Sequence, residues 1–81
     1  MEKEQILKDV NEIFCDVLDN EDITIDYNTS APDIEEWDSL SHIQLVVAIE
    51  KHFKVRFTAS EISGWGNVGE MISSIDKKLN G

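Results

Sequence analysis

One cysteine in 81 residues cannot make an internal disulfide, so Cys15 suits a fold held by packing and a reducing compartment. No apolar run approaches the length needed to span a bilayer, and no basic start followed by an apolar segment marks a secretion signal. The chain therefore reads as cytoplasmic, without membrane insertion. Basic residues are also scarce: seven Lys and Arg stand against seventeen Asp and Glu, a formal net charge of −10. Nucleic acid is excluded as an expected partner, because its phosphates attract Lys and Arg. Anionic membrane surfaces are disfavoured for the same reason, and partners with basic patches are favoured. Internal repeats and low-complexity segments are absent.

The shortage of positive charge is uneven. Between Lys8 and Lys51 there is no Lys or Arg, while twelve Asp and Glu fall in that interval. Lys51, Lys54 and Arg56 then follow within six residues. Such an acidic interval is either a solvated loop or a docking surface. The hydrophobic content of 41% is enough for a folded chain, and the length suits one domain, residues 1–81, with a thin core and a monomeric state.

What is present is helical periodicity. Over residues 2–18, Ile6, Val10, Ile13, Phe14 and Val17 recur at spacings of three and four, with Leu7 and Leu18 at the margin, which predicts an amphipathic helix. Cys15 falls beyond the edge of that face, as a small rim residue. Residues 19–37 form a long acidic connection that Ile23, Ile25 and Ile34 are expected to pin to the core, since a free loop of that length is unusual. Asp22, Thr24 and Asp26 begin like a calcium loop, but Tyr27 stands where the turn needs glycine and Asp33 replaces the closing glutamate. No metal site is expected.

A second helix is predicted from about Ser39 to Lys54, capped by Asp38 or Ser39. Thr58 caps a short turn through Ala59 to Ile62. Asn67, Val68, Gly69 and Glu70 have the spacing of a capping box and open a last helix whose face is Val68, Met71, Ile72, Ile75 and Leu79. The fold class is all-α: a small bundle of three main helices and one short helix, with a long loop between the first two.

The second helix carries two apolar stripes. At about 100° per residue, Leu45, Val46, Ile49 and Phe53 share one arc. Leu40, Ile43 and Val47 share a second, narrower arc on another side. Either the other helices surround this helix on both sides, or the second stripe is a docking ridge presented to a partner; both hold where the last helix covers part of the stripe and leaves its end free.

The ridge begins beside Asp38, Ser39 and His42, the three residue types of a hydrolytic triad compressed into five positions. No G-x-S-x-G elbow accompanies them, and so short a chain leaves little room for a substrate pocket. On the wheel His42 points towards the core arc, as a rim residue. No catalytic residue is expected. Capping explains Asp38 and Ser39 in the simplest way. A helix N-terminus also suits a covalently attached phosphoester, because its N–H groups are unpaired and its dipole end is positive.

The tripeptide D-S-L at 38–40 resembles the attachment motif of acyl and peptidyl carrier proteins, whose serine bears 4′-phosphopantetheine. The surrounding W-D-S-L-S-H-I-Q-L-V-V-A-I-E-K-H-F resembles that family's second helix, and the likeness extends over nearly the whole chain. It implies that Ser39 carries 4′-phosphopantetheine, placed there from coenzyme A by a phosphopantetheinyl transferase. It implies Asp38 as the acidic neighbour in that recognition, and Leu40, Ile43 and Val47 as the stripe facing partners. Those partners would be an acyl- or aminoacyl-activating ligase and enzymes that take the cargo onward. Neutral Ser41 and Gln44, basic Lys51, and Trp37 and His42 around the motif resemble stand-alone carriers of specialised pathways more than general fatty-acid carriers. An unmodified acidic adaptor bundle and a small serine hydrolase are the alternatives from other classes.

Overall fold

A computed structural model describes residues 2–80. They form α1 (Lys3–Val17), α2 (Ser39–Phe53), α3 (Ala59–Ser63) and α4 (Val68–Asn80), with a 3₁₀ turn over Ala31–Asp33. This is the expected all-helical bundle of three main helices and one short one. No β-strand occurs among the described residues.

The core follows from periodicity. Ile6, Val10, Ile13 and Phe14 of α1 are buried against Leu45, Ile49 and Phe53 of α2 and Val68, Met71, Ile72 and Ile75 of α4. Helix α1 therefore packs on both of the other long helices. The end of α1 departs from expectation. The helix stops at Val17, and Asp19 takes the left-handed conformation at φ 53°, so the chain folds back there. Leu18 then lies in the core while Val17 is only half-buried.

The long connection is held down by more than apolar anchors. Ile23 and Ile25 are buried as expected, and Ile34 is half-buried. Asn11 of α1 works beside them: its side-chain oxygen accepts the Ile25 N–H at 2.7 Å, and its amide donates to the Ile23 carbonyl at 3.3 Å. Backbone groups in a partly buried loop need such partners. Cys15 is half-buried and packs at the core's rim.

The same connection closes the start of α4. The Val68 N–H donates to the Thr29 carbonyl and the Gly69 N–H to the Tyr27 carbonyl, both at 2.8 Å. The Glu70 N–H donates to Asn67 Oδ1 at 2.9 Å, and the Met71 N–H to the Asn67 carbonyl at 3.3 Å. The orphan donors of Val68, Gly69 and Glu70 are thereby satisfied, and the Met71 bond is the first within the helix. The Glu70 carboxylate takes the Gly66 N–H at 2.5 Å. The capping box expected from Asn67 to Glu70 is thus completed from the residue before Asn67.

Short α3 is fixed through its first turn. Thr58 and Glu61 form a reciprocal capping box at 3.2 and 2.9 Å. The Glu61 carboxylate then meets Lys78 of α4 at 3.2 Å. Between α2 and α3, the Glu50 carboxylate accepts the Phe57 N–H at 2.9 Å, which folds residues 54–57 back along α2.

Candidate functional site

The acidic connection ends at α2, where Asp38 is the N-cap. Its Oδ1 accepts the Ser41 N–H at 2.9 Å, and its own N–H donates to Ser41 Oγ at 2.8 Å. This reciprocal pair fixes the first turn of α2. The hydrogen bonds from Ser41 also hold the Asp38 carboxyl below its ordinary range, so it is charged at neutral pH. Capping belongs to Asp38, therefore, and Ser39 is left as the first helical residue. Ser39 is exposed, and its hydroxyl makes no hydrogen bond to another described residue.

The second stripe of α2 is uncovered. Leu40 is 69% exposed, Ile43 62% and Val47 43%, whereas Leu45 and Ile49 on the other arc are fully buried. The expectation that α4 covers part of the stripe is not met, because α4 packs on α1 instead. The ridge starts one residue after Ser39.

His42 is half-buried. The Trp37 indole N–H donates to its Nδ1 at 3.1 Å. An indole nitrogen is a donor only, so Nδ1 is unprotonated and the neutral ring carries its proton on Nε2. A hydrolytic triad needs the reverse: Nδ1–H given to a carboxylate and a free Nε2 to accept the serine proton. No Ser39–His42 hydrogen bond is formed among the described residues. Burial also pushes the His42 pKa below its ordinary 6.5, keeping the imidazole neutral. The compressed triad is thus not a hydrolytic site.

Beside Ser39 lies a half-open cleft of about 450 Å³. Trp37, His42, Trp65 and Met71 line it, together with Pro32 and Ser39 itself. Trp65 is half-buried, donates from Nε1 to Ser74 Oγ at 2.9 Å, and stands edge-on to Phe57 at 5.0 Å. The sequence leaves the roles of Trp37, His42 and Trp65 open. Their meeting is not encoded in any helical period, since Trp37 lies before α2 and Trp65 after α3. The one available signal is the concentration of polar-tipped aromatic rings near the motif.

Comparison with known proteins agrees with this geometry. The family described as "Phosphopantetheine attachment site" matches residues 8–75. An acyl carrier protein from Exiguobacterium sibiricum is 32% identical over 79 residues, spanning 98% of this chain and all of its own length. The solution structure of a holo acyl carrier protein from Geobacter metallireducens superposes with a TM-score of 0.85 at 42% identity, covering 90% of this chain and 84% of that one.

Proposed function

Since the chain belongs to the acyl carrier protein family, carrying cargo on covalent 4′-phosphopantetheine and catalysing nothing itself, we propose that Ser39 is its attachment residue. The observation that supports this most is the hydroxyl itself, exposed at the first position of α2 and without a hydrogen-bond partner among the described residues. Asp38 does the capping that Ser39 would otherwise do, which leaves the serine available. The positive end of the α2 dipole suits the phosphodiester of the bound group, and the adjoining cleft gives the group a wall to lie against. The residues present therefore fit it. When bound, the group supplies a thiol that holds cargo as a thioester on a long tether.

Members of this family interact with a phosphopantetheinyl transferase and with biosynthetic enzymes. For this chain, Asp38 presents a fixed negative charge beside the hydroxyl, and Leu40, Ile43 and Val47 present an apolar ridge for docking. Docking then places tethered cargo at high effective concentration in the partner's active site. We assign the chain to a specialised pathway, as a carrier domain acting in the cytoplasm. Neutral Ser41 and Gln44 and basic Lys51 support this, because they give α2 a weaker acidic surface than a general fatty-acid carrier presents. Among the described residues, no helix is long and apolar enough to cross a membrane.

The test is intact-mass measurement after incubation with coenzyme A, magnesium and a broad-specificity transferase. Wild type is expected to gain one phosphopantetheine increment and Ser39→Ala none. An increment that survives in Ser39→Ala moves the site elsewhere, and no increment on wild type removes the assignment.

A further inference from the structure

We propose that the cleft beside Ser39 is a binding site for a carbonyl group and that the Nε2–H of His42 is its donor. The proposal rests on Ser39 as the attachment residue and concerns what the neighbouring wall does with the tethered chain.

The donor is fixed from the core outwards. Trp37 is buried and stands edge-on to Phe14, with ring centroids 4.9 Å apart at 86°. From there its N–H reaches Nδ1 of His42, and the two rings lie 5.9 Å apart at only 21°. Trp65 closes the other side, edge-on to His42 at 6.2 Å and 78°. Trp65 is itself held by Ser74 and Phe57. Both the tautomer and the ring position of His42 are thus set before any ligand arrives, which lowers the ordering cost of binding.

The remaining nitrogen is unused. Nε2 has no hydrogen-bond partner among the described residues. No buried side-chain nitrogen or oxygen there lacks a partner, so the unpaired Nε2 keeps some contact with solvent, and His42 lines the cleft. His42 lies one turn after Ser39 on the same helix, where side chains three residues apart are neighbours. An unpaired N–H between two indoles calls for an acceptor oxygen on whatever Ser39 carries.

Two carbonyl sources supply that chemistry: the amides of the phosphopantetheine arm and the thioester of its cargo. The phosphodiester at Ser39 is the competing acceptor, and a ³¹P signal that moves in holo His42→Phe would assign the donor to it and overturn the proposal. A plain hydrocarbon chain supplies no acceptor, and seated there it would leave Nε2–H desolvated and unpaired. The cleft therefore favours short or polar cargo near the thioester over a long fatty chain. A histidine that merely fills the rim would be indifferent to what Ser39 carries.

The experiment compares apo protein, holo protein with a free thiol, and protein loaded from acetyl-coenzyme A, each verified by intact mass. The readout is the ¹H and ¹⁵N signals of the His42 imidazole. A shift of Nε2–H with slowed solvent exchange in both loaded forms assigns the arm amides. The same change only in the acetylated form assigns the thioester. Unchanged imidazole signals across three mass-verified forms overturn the proposal while leaving Ser39 as attachment site. Absence of the mass increment overturns both.

Variants sharpen the result. His42→Gln keeps a donor, and His42→Phe fills the space without one. Where the thioester is the acceptor, His42→Phe is expected to lose the chemical-shift difference between the free-thiol and acetylated forms at the Trp37 and Trp65 indoles, with recovery in His42→Gln. Where the arm amides are the acceptor, His42→Phe is expected to lose the chemical-shift difference between apo and holo Trp37 and Trp65 indoles, with recovery in His42→Gln. Equal behaviour of the two variants in both measurements counts against a donor role.

Discussion

Helix α2 has two apolar faces that differ little in chemistry and completely in fate. Leu45, Val46, Ile49 and Phe53 are buried, while Leu40, Ile43 and Val47 stand in solvent. A chain of 81 residues has a thin core, and fully burying such side chains stabilises by about 1.5–3 kcal/mol each. Leaving three of them out forgoes that gain in a molecule with little to spare. Hydrophobicity therefore does not decide which face is core; the position of α1 does, because it lies against only one arc of α2. The face left over is shaped for something outside the chain.

The sharpest way to break this contrast is to truncate one residue on each face. Leu45→Ala removes a fully buried side chain and is expected to lower unfolding free energy by about 2–5 kcal/mol in urea titration. A loss comparable to that of an exposed position would mean that the first arc is not the core.

The buried face also depends on the connection behind it. A Cβ at Gly69 would come within 2.7 Å of the Tyr27 carbonyl, the oxygen that accepts the Gly69 N–H. Gly69→Ala must push the loop away or strain α4, at a cost of about 1–3 kcal/mol. The lower melting temperature should come with lost amide protection at Val68 and Gly69. Full stability would show that the loop yields freely and that α4 is capped by Asn67 alone.

These two positions differ in how far the sequence discloses them. Leu45 is legible because periodicity alone assigns it to an arc, as it does both arcs of α2, the face of α4 from Val68 to Ile75 and that of α1 up to Phe14. At the end of α1 the turn at Asp19 exchanges Val17 for Leu18. The close approach at Gly69 is made by a backbone carbonyl from a residue 42 positions earlier, and no side-chain pattern records it. Glu70 shows the same limit: its spacing from Asn67 is that of a capping box, yet its carboxylate takes the N–H of Gly66. At the site, local helix rules place a cap at Asp38 or Ser39, and the Asp38–Ser41 hydrogen bonds decide between them. The Trp37–His42 pairing crosses the helix start, where no period applies. Whether the second stripe is covered is a tertiary fact, and only the docking of α4 on α1 answers it.

On the exposed face, the expected stability change is small and the functional change is large. Ile43→Ala or Val47→Ala is expected to alter unfolding free energy by at most about 0.5 kcal/mol, as surface substitutions usually do. Loading by the transferase, or transfer of cargo, is expected to slow at least about fivefold, as when a contact worth 1 kcal/mol is truncated. Steady-state loading rates set beside urea midpoints separate the two. A large stability loss with unchanged loading would make the ridge part of the core.

The smallest expected effect comes from His42, half-buried beside the boundary of the two faces. Burial pushes its pKa below 6.5, and protonation at Nδ1 would remove the acceptor that Trp37 uses. The native state thus binds this proton less readily than the unfolded chain. Its contribution to stability is full above about pH 6.5 and declines as pH falls through the unfolded value towards the lower folded one. Asp38 and Glu61, both held low by hydrogen bonds, act in the same direction in a more acidic window, below their ordinary 3.8 and 4.5. Urea midpoints measured across pH should therefore fall in two steps, the upper one slight because His42 keeps much of its solvent contact. His42→Gln should flatten the upper step and leave the lower one intact. If the upper step survives that substitution, the proton belongs to another group and the Trp37–His42 bond adds nothing to the fold between the two faces.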